Sequence, residues 1–319
     1  MSSPTSTANE HISPPELIRA LAASINRLEE HVGAPVTVKP LGARKSLVDA
    51  TSKFAVLTQD CKPKAVIVFS RSASPHLVMR GAELAAEIRG MLGTDLGRAL
   101  PVPLETGYAA GRSYMILPWY RDFSGCRPMR ALQRMTLTGT LLGWLRQANA
   151  TAATALKAWD TDGYADSLEH LGRQSFCDRE MQIAIRTSLR RLECGFWRPR
   201  HTVDHNDLWL GNVMLSRHEG YPGQYASFVI IDWAGANARG FGILDLLWLA
   251  QSLKIGARRL GVELTAHSLG LDCDLVDTQG HLLAGLGRMH RHIEHFPEDS
   301  YVGMVRSCWR LLSSVIPPH

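Results

Sequence analysis

The chain has 319 residues, of which 45% are hydrophobic and 20% are charged, so it is long enough for a sizeable core and two lobes. No apolar run of about 18 residues occurs, so no membrane-spanning helix is predicted, and no zinc finger, aromatic RNA-binding motif or dense basic run supports a nucleic-acid partner. The net charge of +5 and a pI near 9.0 favour a neutral or anionic small partner over a polycationic one.

The N-terminus and the cysteines predict the cellular compartment of the protein. Residues 1–12 are polar and rich in Ser, Thr and Pro, so we predict a disordered tail and no secretory signal. The six cysteines are scattered without a Cys-x-x-Cys pair. They predict reduced thiols in a cytoplasmic protein.

The N-terminal part alternates between helical and strand patterns. Residues 14–31 carry apolar side chains at helical spacing and predict an amphipathic helix. Runs of β-branched and apolar residues then predict strands at 36–39, 54–58 and 65–69. A turn at 42–46 joins the first two, and a helix is expected at about 78–92.

The C-terminal part is mostly helical. A strand at 113–117 precedes it. Core-facing patterns then predict helices at 128–148 and 178–194, with a less regular segment at 150–176 between them. The tail from 275 to 315 predicts at least two more helices.

A polar motif interrupts this helical region. The segment from His205 to Asn212 precedes a short apolar run at 213–215, and a second run at 228–231 leads into Asp232. The turn-rich residues 217–223 between the runs suit a hairpin loop. A hairpin would bring Asn212 and Asp232 together, with Asp207 at the edge of the same pocket; the alternative is an ordinary buried polar hairpin.

Three oxygen-bearing side chains at one hairpin suit phosphoryl transfer. Asn212 and Asp232 are hard oxygen ligands of the kind that Mg²⁺ prefers. Asp207 can accept the proton of an attacking hydroxyl and hold that oxygen in line. The motif therefore predicts Asp207 as the catalytic base and Asn212 and Asp232 as metal ligands.

The same residues carry a resemblance to known kinases. Protein kinases have H-R-D-x-x-x-x-N and then D-F-G, whereas this chain has Asn206 in place of the arginine and Asp232-Trp233-Ala234 in place of D-F-G. The pattern resembles instead the aminoglycoside phosphotransferase and choline-kinase-like small-molecule kinases, with H-G-D-x-x-x-x-N followed by I-D-W or I-D-F. Residues 207–212 also resemble the fructosamine kinase version, D-L-W-S-G-N.

The resemblance implies a fold and a domain arrangement. We expect an α+β, bilobal, protein-kinase-like fold, with a small antiparallel-sheet lobe and a larger, mainly helical lobe. After the tail at 1–12, the nucleotide-binding lobe is expected at 13–118 and the catalytic and substrate lobe at 119–319.

The resemblance also implies nucleotide-binding residues in the first lobe. Lys45 and Ser46 lie in the turn that covers the phosphates in the family, although a plain hairpin turn is an equal alternative. The strand at 65–71 lacks the family's lysine, and Arg71 is our choice to replace it. Glu83 could anchor that cation or be a solvated acid on the helix surface.

Two further sets of residues take roles by the same resemblance. Backbone groups of Leu117 and Trp119 are expected to bond adenine at the hinge, unless Trp119 is ordinary hinge packing. His205 is expected to hold the backbone under the catalytic loop, and Asp245 to brace that loop, because a lone carboxylate in an apolar helix is costly unless it is paired.

These inferences combine into one functional hypothesis. We expect an ATP-dependent phosphotransferase that moves the γ-phosphoryl group to a hydroxyl of a small molecule such as a sugar, an amino alcohol or an antibiotic-like acceptor. GTP in place of ATP, the acceptor and the oligomeric state are left open. The alternative is a catalytically weak or inactive kinase-like protein that binds nucleotide or acts as a scaffold, which the missing strand lysine favours; a protein kinase is a weaker third reading.

Overall fold

The computed structural model describes residues 14–41, 51–156, 159–216, 227–291 and 297–317. The chain divides into two compact units. Unit 1 comprises residues up to 86 together with 101–121, and unit 2 comprises 87–100 and everything after 121. The segment 87–100, which we had expected in the first lobe, therefore packs with the second unit. The predicted tail at 1–12, the turn at 42–46 and the hairpin loop at 217–223 lie outside the described residues.

Unit 1 is built on a five-stranded antiparallel sheet. The order of its strands is β1-β2-β3-β5-β4. The sequence predicted four of the strands and missed β4. Their bounds are β1 Val36–Pro40, β2 Thr51–Thr58, β3 Pro63–Ser70, β4 Glu105–Ala109 and β5 Arg112–Pro118.

Two short helices cover one face of this sheet. The predicted helix at 14–31 is present as α1 (Pro14–Ala20) and α2 (Ala22–Val32), with a break at Leu21, where φ is −112° and ψ is 20°. The apolar side chains of these helices pack against Phe54 and Val56 of β2 and against alternate residues of β3 and β5. Because side chains alternate along a strand, the neighbours of these residues point to the opposite face.

Helix α3 (Leu77–Gly97) follows the sheet and is interrupted at Gly93, whose φ of 72° is not helical. Two buried serines hold its start: the N–H of Val78 donates to Ser70 Oγ at 3.0 Å, and the N–H of Met79 donates to Ser113 Oγ at 3.2 Å. The two hydroxyls also bond each other at 2.8 Å. The hydroxyls at the end of β3 and the start of β5 thus accept hydrogen bonds from N–H groups that have no intrahelical partner at a helix start.

Unit 2 is mainly helical. The prediction of a less regular segment at 150–176 is wrong in part. The helix that begins at Arg127 continues to Leu156, and a further helix starts at Thr161. Asp160 caps that further helix by accepting the N–H of Gly163 at 2.8 Å. The helices are α4 (Arg127–Leu156), α5 (Thr161–Gly172), α6 (Arg179–Glu193), α7 (Leu244–Leu253), α8 (Ala257–Gly270), α9 (Asp277–His290) and α10 (Glu298–Ser313).

Two short antiparallel ladders lie among these helices. In one, β6 (Thr202–Asp204) pairs with β9 (Asn237–Gly240), and in the other β7 (Val213–Leu215) pairs with β8 (Phe228–Ile230). The predicted α+β class, with a small antiparallel sheet in one part and helices in the other, is confirmed. Within the described ranges, no helix combines the length and apolar content that crossing a bilayer requires.

Candidate active site

The loop from Asp207 to Asn212 is closed by its own hydrogen bonds. The N–H of Trp209 donates to the Asp207 carbonyl at 3.1 Å, and the N–H of Asn212 donates to the Trp209 carbonyl at 2.9 Å. The side-chain amide of Asn212 then donates to both the carbonyl and the Oδ2 of Asp207, each at 2.8 Å. Asn212 and Asp207 are therefore held side by side, and the Asn212 Oδ1 is turned away from the Asp207 carboxylate.

The β7–β8 hairpin brings Asp232 to this loop. Val213 pairs with Ile230, and the N–H of Ile231 donates to the Asn212 carbonyl at 2.9 Å, so Asp232 lies one residue beyond the residue bonded to Asn212. Asp232 adopts a left-handed conformation, with φ 70° and ψ 57°, which Asp tolerates better than most residues. Asp207 and Asp232 are exposed, whereas Asn212 is 7% exposed.

His205 supports the hairpin from below. Its Nε2 lies 2.9 Å from the Ile231 carbonyl, and its ring meets the Trp233 indole edge-to-face at 4.7 Å. Burial lowers the pKa of His205 to about 4, so the ring is neutral at neutral pH. A neutral ring that bonds a carbonyl holds backbone in place, which agrees with the structural role expected from the sequence.

Two buried carboxylates fix the backbone on either side of the loop. Asp245 accepts the N–H of His205 at 2.5 Å and that of Asn206 at 3.0 Å. Asp204 accepts the N–H groups of Phe241 at 2.6 Å and Gly242 at 2.8 Å. Burial raises the pKa of both carboxyls, and Asp245 is the loop brace that the sequence predicted.

Asn206 explains why this motif departs from H-R-D. Its φ is 61°, in the left-handed region that glycine and asparagine enter most readily. Its side-chain amide also donates to the Gly235 carbonyl at 3.0 Å. An arginine at this position would adopt the same backbone with more strain, and asparagine adds a bond to the segment after Asp232.

The donor set suits a divalent cation held mainly by a substrate. Among the described residues, no group of three or more His, Cys, Asp or Glu side chains could enclose a metal alone. Mg²⁺ in kinases needs no such cage, because one or two protein oxygens and the nucleotide phosphates bind it together. The Asn212 Oδ1 and the exposed Asp232 carboxylate are oxygen donors of that type, and their role as metal ligands stays a prediction.

The predicted phosphate-side residues of unit 1 are not joined to one another. Arg71 lies just beyond β3, and its buried Nε has no hydrogen-bond partner. Glu83 is exposed on α3, and no ion pair joins it to Arg71 within the ranges that the structure describes. Lys45 and Ser46 lie outside those ranges. A cation–carboxylate pair between Arg71 and Glu83 is thus not formed.

The hinge residues are placed at the end of β5. Leu117 is buried and pairs with Val66 of β3. The N–H of Trp119 donates to the Lys64 carbonyl at 2.9 Å, so this donor is already used within unit 1. That backbone groups of Leu117 and Trp119 bond adenine stays a prediction.

Some supports of the loop had no signal in the sequence. Ser252 Oγ accepts the N–H of Leu210 at 3.1 Å, across 42 residues. Trp209 lies over Gly211, where a Cβ would fall 2.3 Å from the indole ring, so the glycine is needed for this packing. Trp209 is still 41% exposed beside Asp207. The bond from Leu210 to Ser252 depends on the folded arrangement, and the packing of Trp209 on Gly211 depends on the local conformation of the loop.

Comparison with known proteins gives structural likenesses alone. No protein-family model and no curated protein matches the chain. The chain is similar to a choline/ethanolamine kinase family protein from Mesorhizobium loti, with a TM-score of 0.49, 12% identity, and coverage of 94% of this chain and 95% of that one.

Two other solved structures are similar at a comparable level. A thermostable mutant of an aminoglycoside phosphotransferase has a TM-score of 0.44 at 13% identity, over 91% of this chain and 98% of that one. A glucosamine kinase in complex with glucosamine, ADP and inorganic phosphate has a TM-score of 0.40 at 13% identity, over 89% and 95% of the two chains. These neighbours are small-molecule kinases; the functional assignment below rests on the chain's own residues.

Proposed function

We propose that the chain is an ATP-dependent phosphotransferase that phosphorylates a hydroxyl of a small, non-cationic molecule. The observation that carries the proposal is the hairpin, where the Asn212 amide bonds the Asp207 carboxylate at 2.8 Å and the Asn212 carbonyl bonds the N–H that precedes Asp232. An ordinary polar hairpin has no need of two exposed carboxylates beside a buried carboxamide.

Each side chain has a distinct task in this proposal. Asp207 accepts the proton of the acceptor hydroxyl, and its bond from Asn212 keeps the carboxylate in one orientation. Asn212 Oδ1 and Asp232 would hold Mg²⁺, which when bound neutralises the charge of the nucleotide phosphates. Asp245 and His205 keep these three groups in place through the backbone and touch no substrate.

The acceptor class follows from charge. The protein carries a net charge of +5, so the long-range field favours an approaching neutral or anionic molecule. Sugars, sugar phosphates and neutral polyols fit this condition better than a polycationic antibiotic. ATP is the expected donor, and GTP is tested beside it.

The test is phosphoryl transfer from γ-labelled ATP or GTP across a panel of hydroxyl compounds. We expect Mg²⁺-dependent transfer to a neutral or anionic member, and a loss of kcat of about 10²- to 10⁴-fold in Asp207→Asn with nucleotide affinity retained. Asp232→Asn should lose Mg²⁺-dependent nucleotide binding; asparagine is preferred over alanine there because of the left-handed backbone.

Two results would count against the proposal. Unchanged turnover in Asp207→Asn would remove that residue from the reaction. Nucleotide binding without transfer to any acceptor would favour the alternative of an inactive nucleotide-binding protein, which the absence of a lysine in the middle of β3 first suggested.

A further inference from the structure

One face of the unit 1 sheet packs against α1 and α2, and the other face does not. On that other face, the middle of β3 carries no cationic side chain. Alternation places Lys64, Val66, Val68 and Ser70 on this face, because Ala65, Ile67 and Phe69 pack against the helices. Ser70 is buried and bonds the start of α3. Lys64 lies at the hinge end, where its carbonyl accepts the N–H of Trp119.

The neighbouring strand supplies a cation at this place. Lys53 of β2 pairs with Val68 of β3, which in turn pairs with Met115 of β5. Its neighbour Phe54 belongs to the core under α1 and α2, so Lys53 points to the opposite face. Lys53 is partly buried, as is usual for a lysine whose aliphatic stem lies along apolar neighbours.

Lys53 also lies at the end of the sheet where phosphates are expected. The N–H of Leu41 donates to the Lys53 carbonyl at 2.9 Å, so Leu41, which precedes the predicted phosphate turn in the sequence, lies beside this lysine. The row of Ala55, Val66 and Leu117 lies two residues further along the strands, about 7 Å towards the hinge. The next row on this face is thus apolar on β2, β3 and β5, while Lys39 lies on the edge strand β1 and Lys64 at the hinge end.

We propose that Lys53 is the residue that binds the α- and β-phosphates of the nucleotide, in place of a lysine on β3. This assignment rests on the proposed kinase function. It gives the phosphate-binding role to a residue that the sequence analysis did not predict. Residues that face each other across an antiparallel pair have Cβ atoms about 5 Å apart. The four-carbon stem of lysine can span that displacement, so the same point on the face is reached from either strand.

Two other cationic residues, Arg71 and Lys39, are less well placed to bind the phosphates. Arg71 lies past the last residue of β3, in a turn where its carbonyl accepts the N–H of Ser74 at 3.1 Å. Lys39 shares the face of Lys53, but it is exposed on the edge strand β1 and pairs with Ala55, one row nearer the hinge.

The first test uses chemistry on the wild-type protein. An acyl phosphate of ATP donates its acyl group to an amine that lies beside the phosphates, and peptide mass spectrometry identifies the acylated lysine. We expect Lys53 to be labelled and the label to be lost in excess Mg·ATP. Protected labelling at Lys39, Lys45 or Lys64 with none at Lys53 would overturn the assignment.

The second test compares nucleotide affinity in matched variants. Lys53→Met should weaken ADP and ATP binding by roughly 10- to 100-fold, the usual effect of losing a hydrogen bond to a charged group, and leave adenosine binding within twofold. Lys53→Arg should restore most of the affinity, and Lys39→Met, on the same face, should match wild type. If Lys53→Met does not fold, Lys53→Gln and the labelling experiment decide.

The outcomes separate this assignment from the function itself. Wild-type transfer that depends on Asp207, together with unchanged ADP binding in Lys53→Met, would overturn the role of Lys53 alone. Loss of ADP binding in Arg71→Met with none in Lys53→Met would return the role to Arg71. A wild-type protein that binds no nucleotide would overturn both proposals.

Discussion

The loop that carries Asp207 and the sheet face that carries Lys53 are held by different bonds. In the loop, buried side chains bond the backbone of distant segments, as Asp245 does with His205 and Asn206. In the sheet, strand pairing alone sets the position of Lys53 opposite Val68. A loop of the first kind needs particular residues at particular places, whereas on a sheet several strands can deliver a side chain to the same point.

Replacing one of the two acceptor oxygens of Asp245 should give the largest effect on this contrast. Asp245→Asn cannot accept from both N–H groups, and each buried donor left without a partner costs about 1–3 kcal/mol. One donor loses its acceptor, so we expect a loss of about 1–3 kcal/mol in urea unfolding and a fall in kcat larger than the change in KM. Asp95→Asn, at a carboxylate whose side chain is 86% exposed, is the control. Equal effects in the two variants would show that Asp245 braces nothing.

The buried ring of His205 should make the loop sensitive to acid. Its pKa is about 4 in the folded protein and about 6.5 in an unfolded chain, so between these values the unfolded chain binds a proton that the folded chain excludes. Stability contributed by the neutral ring is present above pH 6.5 and is lost as the pH falls towards 4.

We expect the stability difference between wild type and His205→Asn to shrink by up to about 1.4 kcal/mol per pH unit as the pH falls through that window. Denaturant titrations at several pH values measure it. Parallel stability curves for the two proteins would mean that folding does not lower the pKa of this ring.

Sheet positions should be more tolerant, even where they are buried. Ser70→Ala removes the acceptor of the Val78 N–H at the start of α3, and the loss of such a cap costs about 1 kcal/mol. The exposed Ser72→Ala in the turn after β3 should cost nothing measurable. Thermal unfolding of the two variants provides the comparison, and a cost at Ser70 above that of Asp245→Asn would reverse the contrast between loop and sheet.

Asn206 should be the most tolerant position within the loop, provided that the replacement accepts a positive φ. Asn206→Gly keeps the backbone without strain but loses the bond to the Gly235 carbonyl, so we expect a change within about 1 kcal/mol. Asn206→Ala should cost more, because alanine pays the left-handed penalty of about 1–2 kcal/mol as well. The order of the two melting temperatures checks this, and the reverse order would show that φ is not the constraint.

The sequence predicted those parts that depend on local pattern. Alternation located four strands of the sheet, and helical spacing located α1 to α4, α6 and the last two helices. The order of polar residues along a hairpin brought Asp207, Asn212 and Asp232 together, as the structure shows for their positions, while their chemical roles remain proposals. The support from His205 and Asp245 followed from a family resemblance and agrees with the observed bonds.

The parts that were missed depend on contacts between distant residues. β4 has no apolar alternation, and its Glu105 is held by Arg27 and Ser24, about 80 residues away, and by Tyr114. The role of Arg71 was predicted from sequence order along β3 and stays a prediction. The proposal of Lys53 depends on strand register, which sets Lys53 beside Val68 and which no single strand reveals.

Each of the two buried aspartates holds the chain segment that carries the other. Asp204 accepts the N–H groups of Phe241 and Gly242, which lie just before Asp245. Asp245 accepts the N–H groups of His205 and Asn206, which lie just after Asp204. If one segment opened while the other stayed closed, a buried carboxylate would lose its hydrogen-bond donors. The amides of His205, Asn206, Phe241 and Gly242 should therefore exchange with deuterium at one common rate, as a single cooperative unit.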